Sequence, residues 1–518
     1  MDISEVVKDL QFIHTTGTLS GEVSSVCYHS RCCEENSLFV AITGLNTDGH
    51  DFIEDAIHRG AHWILHEKPF NSPNHINTLQ VPDSRRALGI AGRNFYARPS
   101  SNLCLIGVTG TNGKTTVTYL LESIIKAAGF VPGVLGTVNY RFRGKTQPAP
   151  NTTPESLEFH KILRAMADAG VTHCVAEISS HALDLGRVDD CDFDIGIFTN
   201  LSRDHLDYHL TMERYYEAKR RFFTELLPKS LKTLPFRAII NSDDPWGKRL
   251  LEDLSLRSLS FGDRENHDVG VTDSRFTLEG TRAVIHINGN PLQINSDLIG
   301  HFNLYNILAA AAAAAAVHIP TPAIEQGIAE MKGVPGRMER VSRPGEPSVF
   351  VDYAHTDDAL RKAIENLSGF GSNRIITVFG CGGDRDREKR ALMGSVAATL
   401  SDVMVVTSDN PRSEPPQTII DQIEAGIRLH NIRQVGSGEL HNDTGEKIYC
   451  TIPDRRQAIE AAIMSANPED IVLIAGKGHE DYQIIGRERY FFDDRIVARE
   501  CLRKRRGEQT CPRFLHHC

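Results

Sequence analysis

The chain has 518 residues, enough for about three domains. Hydrophobic residues are 40% and charged residues 24%, the balance of an ordinary globular protein, and no run of about 18 apolar residues occurs, so no transmembrane helix is expected. A net charge of −10 argues against a general nucleic-acid binder but leaves room for local basic pockets that hold phosphate.

The N-terminus, MDISEVVKDL, lacks the apolar core of a signal peptide, and a cytoplasmic protein is expected. Eleven cysteines stand without CxxC pairs, which suits buried or free thiols better than a zinc site or a disulfide framework. In the first hundred residues SLFVAITG reads as a buried strand. A helical pattern follows (Phe52, Ile53, Ala56, Ile57), then a second strand around Trp63. These elements predict a small α/β domain, with ARPSSN (residues 97–102) as a linker.

LCLIGVTG then reads as a strand entering a glycine turn, and a helix is expected from Lys114 to about Ala128. VTHCVAEIS and FDIGIFTNL read as further buried strands, so the middle of the chain predicts a mainly parallel, doubly wound sheet. The all-alanine run from Ala309 to Ala316 predicts a tightly packed helix. After VPGRMER (residues 334–340) come SVFVDYAH, RIITVFGCGG, DVMVVTSDN and DIVLIAGKG, four strand-like runs ending in polar or glycine-rich residues. They predict a Rossmann-like unit whose ligands sit outside the carboxyl ends of the strands. The expected fold class is thus α/β in three domains. These are a small N-terminal α/β domain (1–100), a central P-loop-type, mainly parallel sheet domain (101–335) and a C-terminal Rossmann-like domain (336–500). A basic tail (501–518) opens with Arg503, Lys504, Arg505 and Arg506 and is read as solvated.

The strongest local signal is GVTGTNGKTT, residues 107–116, between a strand and a helix. Backbone N–H groups and a helix N-terminus in such a loop cradle phosphate. Gly110, Thr111, Asn112 and Gly113 form the expected cradle; Lys114 would reach the β/γ-phosphates, and Thr115 and Thr116 open the helix, Thr115 facing Mg²⁺. The common P-loop pattern is not met in full, because Val108 stands where its first glycine falls. The loop predicts ATP binding, which kinases, motors, GTPases and ligases share. Glu177 (AEISSHAL) and His205 (TNLSRDHLDYH) are each expected at a strand end, where they could meet a divalent ion near the γ-phosphate. In MERYYEAKRRFF, spacing alone makes Lys219 a solvated helix lysine, and DNPR (residues 409–412) alone is a common turn.

The series GTNGKTT, NTTPE, EISSHAL, TNLSRDHLDYH, YYEAKRRFF, GHFNLYN, PGRME, VDYAHT and GKGHEDY occurs in the order seen in Mur ligases, and the chain resembles that family over nearly its whole length. The resemblance is nearest to the members that add the third residue of the peptidoglycan stem. It implies ATP and Mg²⁺ as cofactors, Lys114 as catalytic, and Thr115, Glu177 and His205 on metal. It turns Lys219 into a lysine carbamylated by CO₂, an anion able to hold Mg²⁺. Asn306, Arg337, Asp352 and His355 are implied around the nucleotide. Ser30, Asn46, Thr47, Asn151, Thr152, Thr153, Ser179 and Arg187 are implied on UDP-N-acetylmuramoyl-L-alanyl-D-glutamate. In the same resemblance Asp409-Asn410-Pro411-Arg412 marks members that take meso-diaminopimelate, with Arg385, Gly476 and Glu480 around it. Arg412 would hold the second carboxylate, which L-lysine lacks, and Glu480 the distal ammonium. The implied reaction is ligation through an acyl phosphate in peptidoglycan synthesis, and hence in cell-wall biogenesis, cell shape and division, by a monomer without nucleic-acid or membrane partners. L-Lysine addition, a folylpolyglutamate- or cyanophycin-type ligase, and a nucleotide-binding regulator without catalysis are the alternatives. Three departures stand out: His29 for the family's usual Asp before Ser-Arg, Glu35-Asn36 for Pro-Gly, and Asp357 for Pro after VDYAHT.

Overall fold

The computed structural model describes residues 1–44, 47–371, 374–441 and 445–508. Three sheets organise it. The first has five strands in the order His14–Thr16, Asn77–Gln80, Ala61–His66, Ser37–Val40, Val26–Cys27, all parallel except the first. Its core gathers Leu38, Val40, Trp63, Leu65 and Leu79 against Ala87, Leu88 and Ala91 of the helix Ser84–Phe95. Residues 97–102 are not a free linker. Pro99–Asn102 is a 3₁₀ turn with Pro99 and Ser100 buried, because the Ser100 hydroxyl accepts the Asp192 N–H (3.0 Å) and ties the joint to the next unit.

The second sheet has eleven strands. Its parallel centre runs Ser258–Phe261, Ala238–Asn241, Ile195–Phe198, Cys104–Thr109, His173–Glu177, Pro132–Leu135. Asn139–Phe142 and Lys145–Pro148 extend one edge antiparallel; on the other, Val269–Thr277 joins parallel to Ser258–Phe261, and Gly280–Ile287 and Asn290–Ser296 follow antiparallel. The alanine run lies in the helix His301–Ala316. Methyl side chains let it sit flush in a core with the helix Lys114–Ala127, which also touches the helix Thr321–Glu330. That second contact is so close that a Cβ on Gly327 would come 2.3 Å from Ile124 Cα.

The third sheet runs Glu339–Arg340, Ser348–Asp352, Ile471–Ala475, Ile375–Phe379, Val403–Val406, Ile448–Thr451, Arg433–Gln434, parallel apart from its first strand. A separate hairpin, Tyr482–Ile485 with Glu488–Phe491, follows the strand Ile471–Ala475. The basic stretch expected to open a solvated tail begins differently. Arg503, Lys504 and Arg505 form the last turn of the helix Asp494–Arg505, anchored because Cys501 and Leu502 are buried in the core. Cations suit that end of a helix, where the macrodipole is negative. Residues 509–518 lie outside the described residues.

Candidate active site

The phosphate loop leaves the strand Cys104–Thr109 at the centre of its sheet. Gly110 (φ +142°) and Gly113 (φ +89°) take backbone angles that glycine alone adopts cheaply. A Cβ on Gly110 would stand 2.0 Å from Thr199 Oγ1, and one on Gly113 would stand 2.3 Å from Asn306 Oδ1. Asn306 is thereby brought against the loop. The segment after the neighbouring strand pins the loop from below: Thr111 N donates to Asn200 O (2.8 Å), Asn112 N donates to Asn200 Oδ1 (3.0 Å), and Thr199 Oγ1 donates to Asn112 O (2.6 Å). Lys114 and Thr116 open the helix Lys114–Ala127, whose N-terminus points its free N–H groups into the loop. Lys114 Nζ donates to Gly110 O (2.9 Å) and Thr111 O (2.8 Å), and burial lowers its pKa.

Thr115 Oγ1 donates to Glu177 Oε2 (3.1 Å), and both side chains are buried. Thr137, which sequence reasoning passed over, completes a small oxygen-lined cluster. Its backbone N–H donates to Glu177 Oε1 and its hydroxyl to Oε2, both at 2.9 Å.

Lys219 is buried, at 1% exposure, against the spacing-based expectation of a solvated lysine. The helix Met212–Arg221 turns Tyr215 and Lys219 inward on one face, while Arg220 and Arg221 reach Asp253 and Asp189. Lys219 Nζ donates to Gly110 O (3.0 Å) and lies 4.7 Å from the Tyr215 ring centroid. Burial first, and the Lys114 charge second, push its pKa well below the ordinary lysine value.

His205 is not at a strand end. The strand Ile195–Phe198 stops seven residues earlier, because the intervening chain doubles back under the phosphate loop through Thr199, Asn200 and Ser202. His205 itself has φ +53° and faces His181, with ring centroids 5.0 Å apart. Burial pushes its pKa down to about 4, with Asp204 beside it opposing. Among the described residues no hydrogen bond or ion pair joins His205 to Glu177 or Lys219, and no group of three His, Cys, Asp or Glu side chains stands ready as a metal site.

The C-terminal unit reaches over this site. Arg337 Nη2 approaches Thr115 Oγ1 (3.5 Å), and its guanidinium carbon lies 4.5 Å from the Tyr353 ring centroid. Arg337 Nε is buried without a hydrogen-bond partner, a donor that an anion would satisfy. Asp352 accepts the N–H groups of Met338 (2.6 Å) and Ala354 (2.9 Å), and burial raises its pKa. His355 Nδ1 is bonded to Tyr353 O (2.9 Å), and Lys389 Nζ donates to His355 O (3.0 Å).

The residues expected on the nucleotide-linked acceptor fall into two groups. Thr153 Oγ1 donates to Glu177 O (2.8 Å) and accepts Ser179 N–H (3.0 Å), and Arg187 Nη1 donates to Thr153 O (3.1 Å). Thr152 Oγ1 meets Thr137 Oγ1 (3.1 Å), and Asn151 O accepts the Tyr140 hydroxyl. Thr153 thus meets Glu177 directly, Thr152 reaches it through Thr137, and Ser179 and Arg187 are tied to it through Thr153. Ser30 and Thr47 stay on the first unit, Ser30 half-wrapped by its 3₁₀ turn and Thr47 O accepting Gly44 N–H (2.9 Å). Asn46 lies outside the described residues. Arg85 bridges the groups, donating to Thr43 O (2.9 Å) and pairing with Glu155. Two sequence departures find a physical reason. Asn36 has φ +62°, which Asn tolerates in place of Gly, and Asp357 is the first residue of a helix capped by Thr356.

A cavity of about 530 Å³ opens between the central and C-terminal units. His181, Asp204 and His205 line one end, and Arg385, Asp409, Asn410, Arg412, Gly476 and Glu480 the other. The phosphate loop itself lies beyond its lining. Arg412 holds φ +51°, strained for a bulky residue, and Nη1 donates to Gly383 O (2.8 Å). Pro411, buried beside it, fixes the loop: its carbonyl packs where a Cβ on Gly383 would come within 1.9 Å. Among the described residues neither Arg385 nor Arg412 forms an ion pair with a carboxylate. Across the cavity Asn410 Nδ2 donates to Glu480 Oε2 (2.8 Å). Gly476 (φ +118°) lets Asp409 approach, a Cβ there falling 3.1 Å from Asp409 Oδ2. Burial raises the Glu480 pKa, and Lys477 opposes. Arg385, Arg412, Asp409 and Glu480, grouped at one end among the charged residues that line the cavity, suit a ligand carrying both carboxylate and ammonium groups.

Comparison with known proteins agrees with that chemistry. Family models match in chain order: "Mur ligase family, catalytic domain" at residues 22–96, "Mur ligase middle domain" at 108–314 and "Mur ligase, glutamate ligase domain" at 336–478. A Geobacter metallireducens protein called UDP-N-acetylmuramoyl-L-alanyl-D-glutamate--2,6-diaminopimelate ligase is 45% identical over 96% of this chain and 97% of its own. A Geobacter sulfurreducens protein of the same name is 43% identical over 96% and 98%. A solved structure with that name aligns at TM-score 0.69 and 32% identity, covering 98% of this chain and 99% of its own.

Proposed function

The chain belongs to the Mur ligase family of ATP-dependent, ADP-forming ligases, and we propose that it joins meso-diaminopimelate to the D-glutamate of UDP-N-acetylmuramoyl-L-alanyl-D-glutamate through an acyl phosphate, in peptidoglycan synthesis. The observation that carries the reading is the single cavity with His205 at one end and the four opposed charges of Arg385, Arg412, Asp409 and Glu480 at the other. An amino acid with two amino-acid heads fits those charges. L-Lysine would leave one guanidinium unanswered.

In the proposed reaction a D-glutamate carboxylate oxygen attacks the ATP γ-phosphorus, and the bond to the β–γ bridging oxygen breaks, releasing ADP. The neutral amine of diaminopimelate attacks the acyl carbon, the carbon–oxygen bond to phosphate breaks, and the amine proton is released. Lys114, at the phosphate loop, offsets the repulsion between a carboxylate and a triphosphate. Arg337, with its unpaired Nε, adds charge from the C-terminal side and joins the two units over the reacting atoms. Thr153, Ser179 and Arg187 hold the acceptor near Glu177. Arg412 and Arg385 bind carboxylates of the incoming amino acid, and Glu480 its distal ammonium. The cavity between the units shelters the acyl phosphate from water.

The residues fit Mg²⁺: Thr115 and Glu177 offer hard oxygen donors 3.1 Å apart in a buried cluster. A bound Mg²⁺ there supplies charge neutralisation between the two anionic reactants. Lys219, buried with its amine beside Gly110 O, fits the carbamate, and His205, on the cavity side, would be a further ligand. Bicarbonate restoring activity lost in CO₂-free buffer supports the carbamate, and a rate indifferent to both removes it.

The test of the function is ADP release by the purified chain with each component omitted in turn. Release is expected to need ATP, the UDP-linked dipeptide and meso-diaminopimelate together, and to fall at least about tenfold with L-lysine, as for a lost charge pair. Release independent of the added amino acid overturns the proposal.

A further inference from the structure

Within GKGHEDY, the lysine between the two glycines has no part in the site described so far. Lys477 is fully buried and is not among the residues facing the cavity. Its Nζ lies 3.1 Å from Glu480 Oε2, 3.3 Å from Asn410 Oδ1 and 3.7 Å from Asp409 Oδ1, and 5.4 Å from the Tyr482 ring centroid. An ammonium has three donors and no acceptor, so each neighbour must turn an oxygen toward it.

That requirement orients the pocket. Asn410 Oδ1 is held by Lys477 and by Ile484 N–H (2.9 Å), so its amide nitrogen must face Glu480 Oε2 (2.8 Å). Lys477 and Asn410 thus both donate to Oε2. Among the described residues no hydrogen bond uses Glu480 Oε1, and Glu480 lines the cavity. Asp409 Oδ1 is buried and without a hydrogen-bond partner. Two carboxylates this close repel one another unless a cation stands beside them. The other buried cation nearby, Arg455, is already answered: it bonds Asp494 twice (2.8 and 2.7 Å) and donates to Ala475 O (3.0 Å). Among the described residues Lys477 is the one cation within 4 Å of both Asp409 and Glu480.

We propose that Lys477 is a positioning residue for the incoming amino acid, holding Glu480 ionised and turned so that one carboxylate oxygen meets the substrate's distal ammonium. It never touches the substrate. This rests on the diaminopimelate reading of the pocket, and the wild-type rate with meso-diaminopimelate tests that reading separately.

Steady-state kinetics of Lys477→Met, Glu480→Gln and the double variant test the proposal. Lys477→Met is expected to raise KM for meso-diaminopimelate at least about tenfold, the cost of losing a charge-assisted contact, while KM for ATP and for the UDP-linked dipeptide stays within about twofold. The double variant is expected to match Glu480→Gln in kcat/KM for the amino acid within about twofold, because Lys477 acts through Glu480. If methionine alone leaves Glu480 stranded and the chain does not fold, the double variant removes the stranded charge, and its comparison with Glu480→Gln decides. An unchanged KM for the amino acid, an equal rise in KM for ATP, or a double variant far worse than Glu480→Gln overturns the proposal. A wild-type chain that does not use meso-diaminopimelate overturns it together with the reading it rests on.

Discussion

The phosphate loop, beyond the lining of the cavity, and the amino-acid end of the cavity are built on different plans. At the phosphate end one strand, its turn and its helix supply Gly110 to Thr116, and backbone groups do much of the holding. At the amino-acid end the parts come from three separated places: Arg385, residues 409–412, and the stretch from Gly476 through Glu480 into the hairpin carrying Tyr482 and Ile484. There side-chain charges hold one another. Phosphate is the same in every nucleotide, and a contiguous backbone cradle suffices. An amino acid must be told from its analogues, which calls for charges placed from several directions.

The contrast can be broken most strongly at the phosphate end. Lys114→Ala is expected to lower ADP release by about a thousandfold or more, since its charge acts on the transferring phosphoryl group, with fold retained by circular dichroism. Next comes the far end. Arg412→Ala is expected to cost about 2–5 kcal/mol in kcat/KM for meso-diaminopimelate and to leave KM for ATP unchanged. Arg412→Lys should recover little, because an ammonium lacks the forked donor pair. Equal damage to KM for ATP would merge the two ends that the account keeps apart.

A smaller effect probes what supports the phosphate loop. Gly327→Val would force a side chain against Ile124 in the helix that Lys114 begins, and is expected to destabilise the central unit by about 1–3 kcal/mol in thermal unfolding. The smallest lies at the joint between the first two units. Burial raises the Asp190 carboxyl to about 6, so the folded state holds a proton that the unfolded chain releases. Its contribution to stability therefore falls as pH climbs from about 4 through about 6. Asp190→Asn should flatten that decline and raise Tm slightly at pH 7.5. An unchanged pH dependence of Tm would show that Asp190 is not the group responsible.

The same contrast governs what the sequence revealed. The loop from Gly107 to Thr116 was legible because its parts are contiguous and lie between a strand and a helix. Three parallel strands of the central sheet and four of the C-terminal sheet were legible as apolar runs, while the short strands Pro132–Leu135, Ala238–Asn241, Ser258–Phe261 and Ile448–Thr451 were not read. The strands from Val269 to Ser296 were not: Val269–Thr277 is buried only over its first residues, and Gly280–Ile287 and Asn290–Ser296 alternate in exposure, so none leaves an apolar run. Lys219 misled by spacing, for a lysine's burial is decided by what packs over it, here the loop at Gly110. His205 was expected at a strand end and lies seven residues past one, because the turn under the loop has no sequence period. Thr137 gave no local sign. Lys477 did, as a lysine between two glycines, yet its partner Asn410 is 67 residues away, and no spacing rule links them.

The central claim is that the D-glutamate carboxylate is phosphorylated before the amine attacks. It is tested most directly with UDP-linked dipeptide carrying ¹⁸O in the D-glutamate side-chain carboxylate, turned over with ATP and meso-diaminopimelate. The account predicts one ¹⁸O in each inorganic phosphate released, because the attacking oxygen leaves with the phosphoryl group. Phosphate free of the label, alongside product formation, would contradict it.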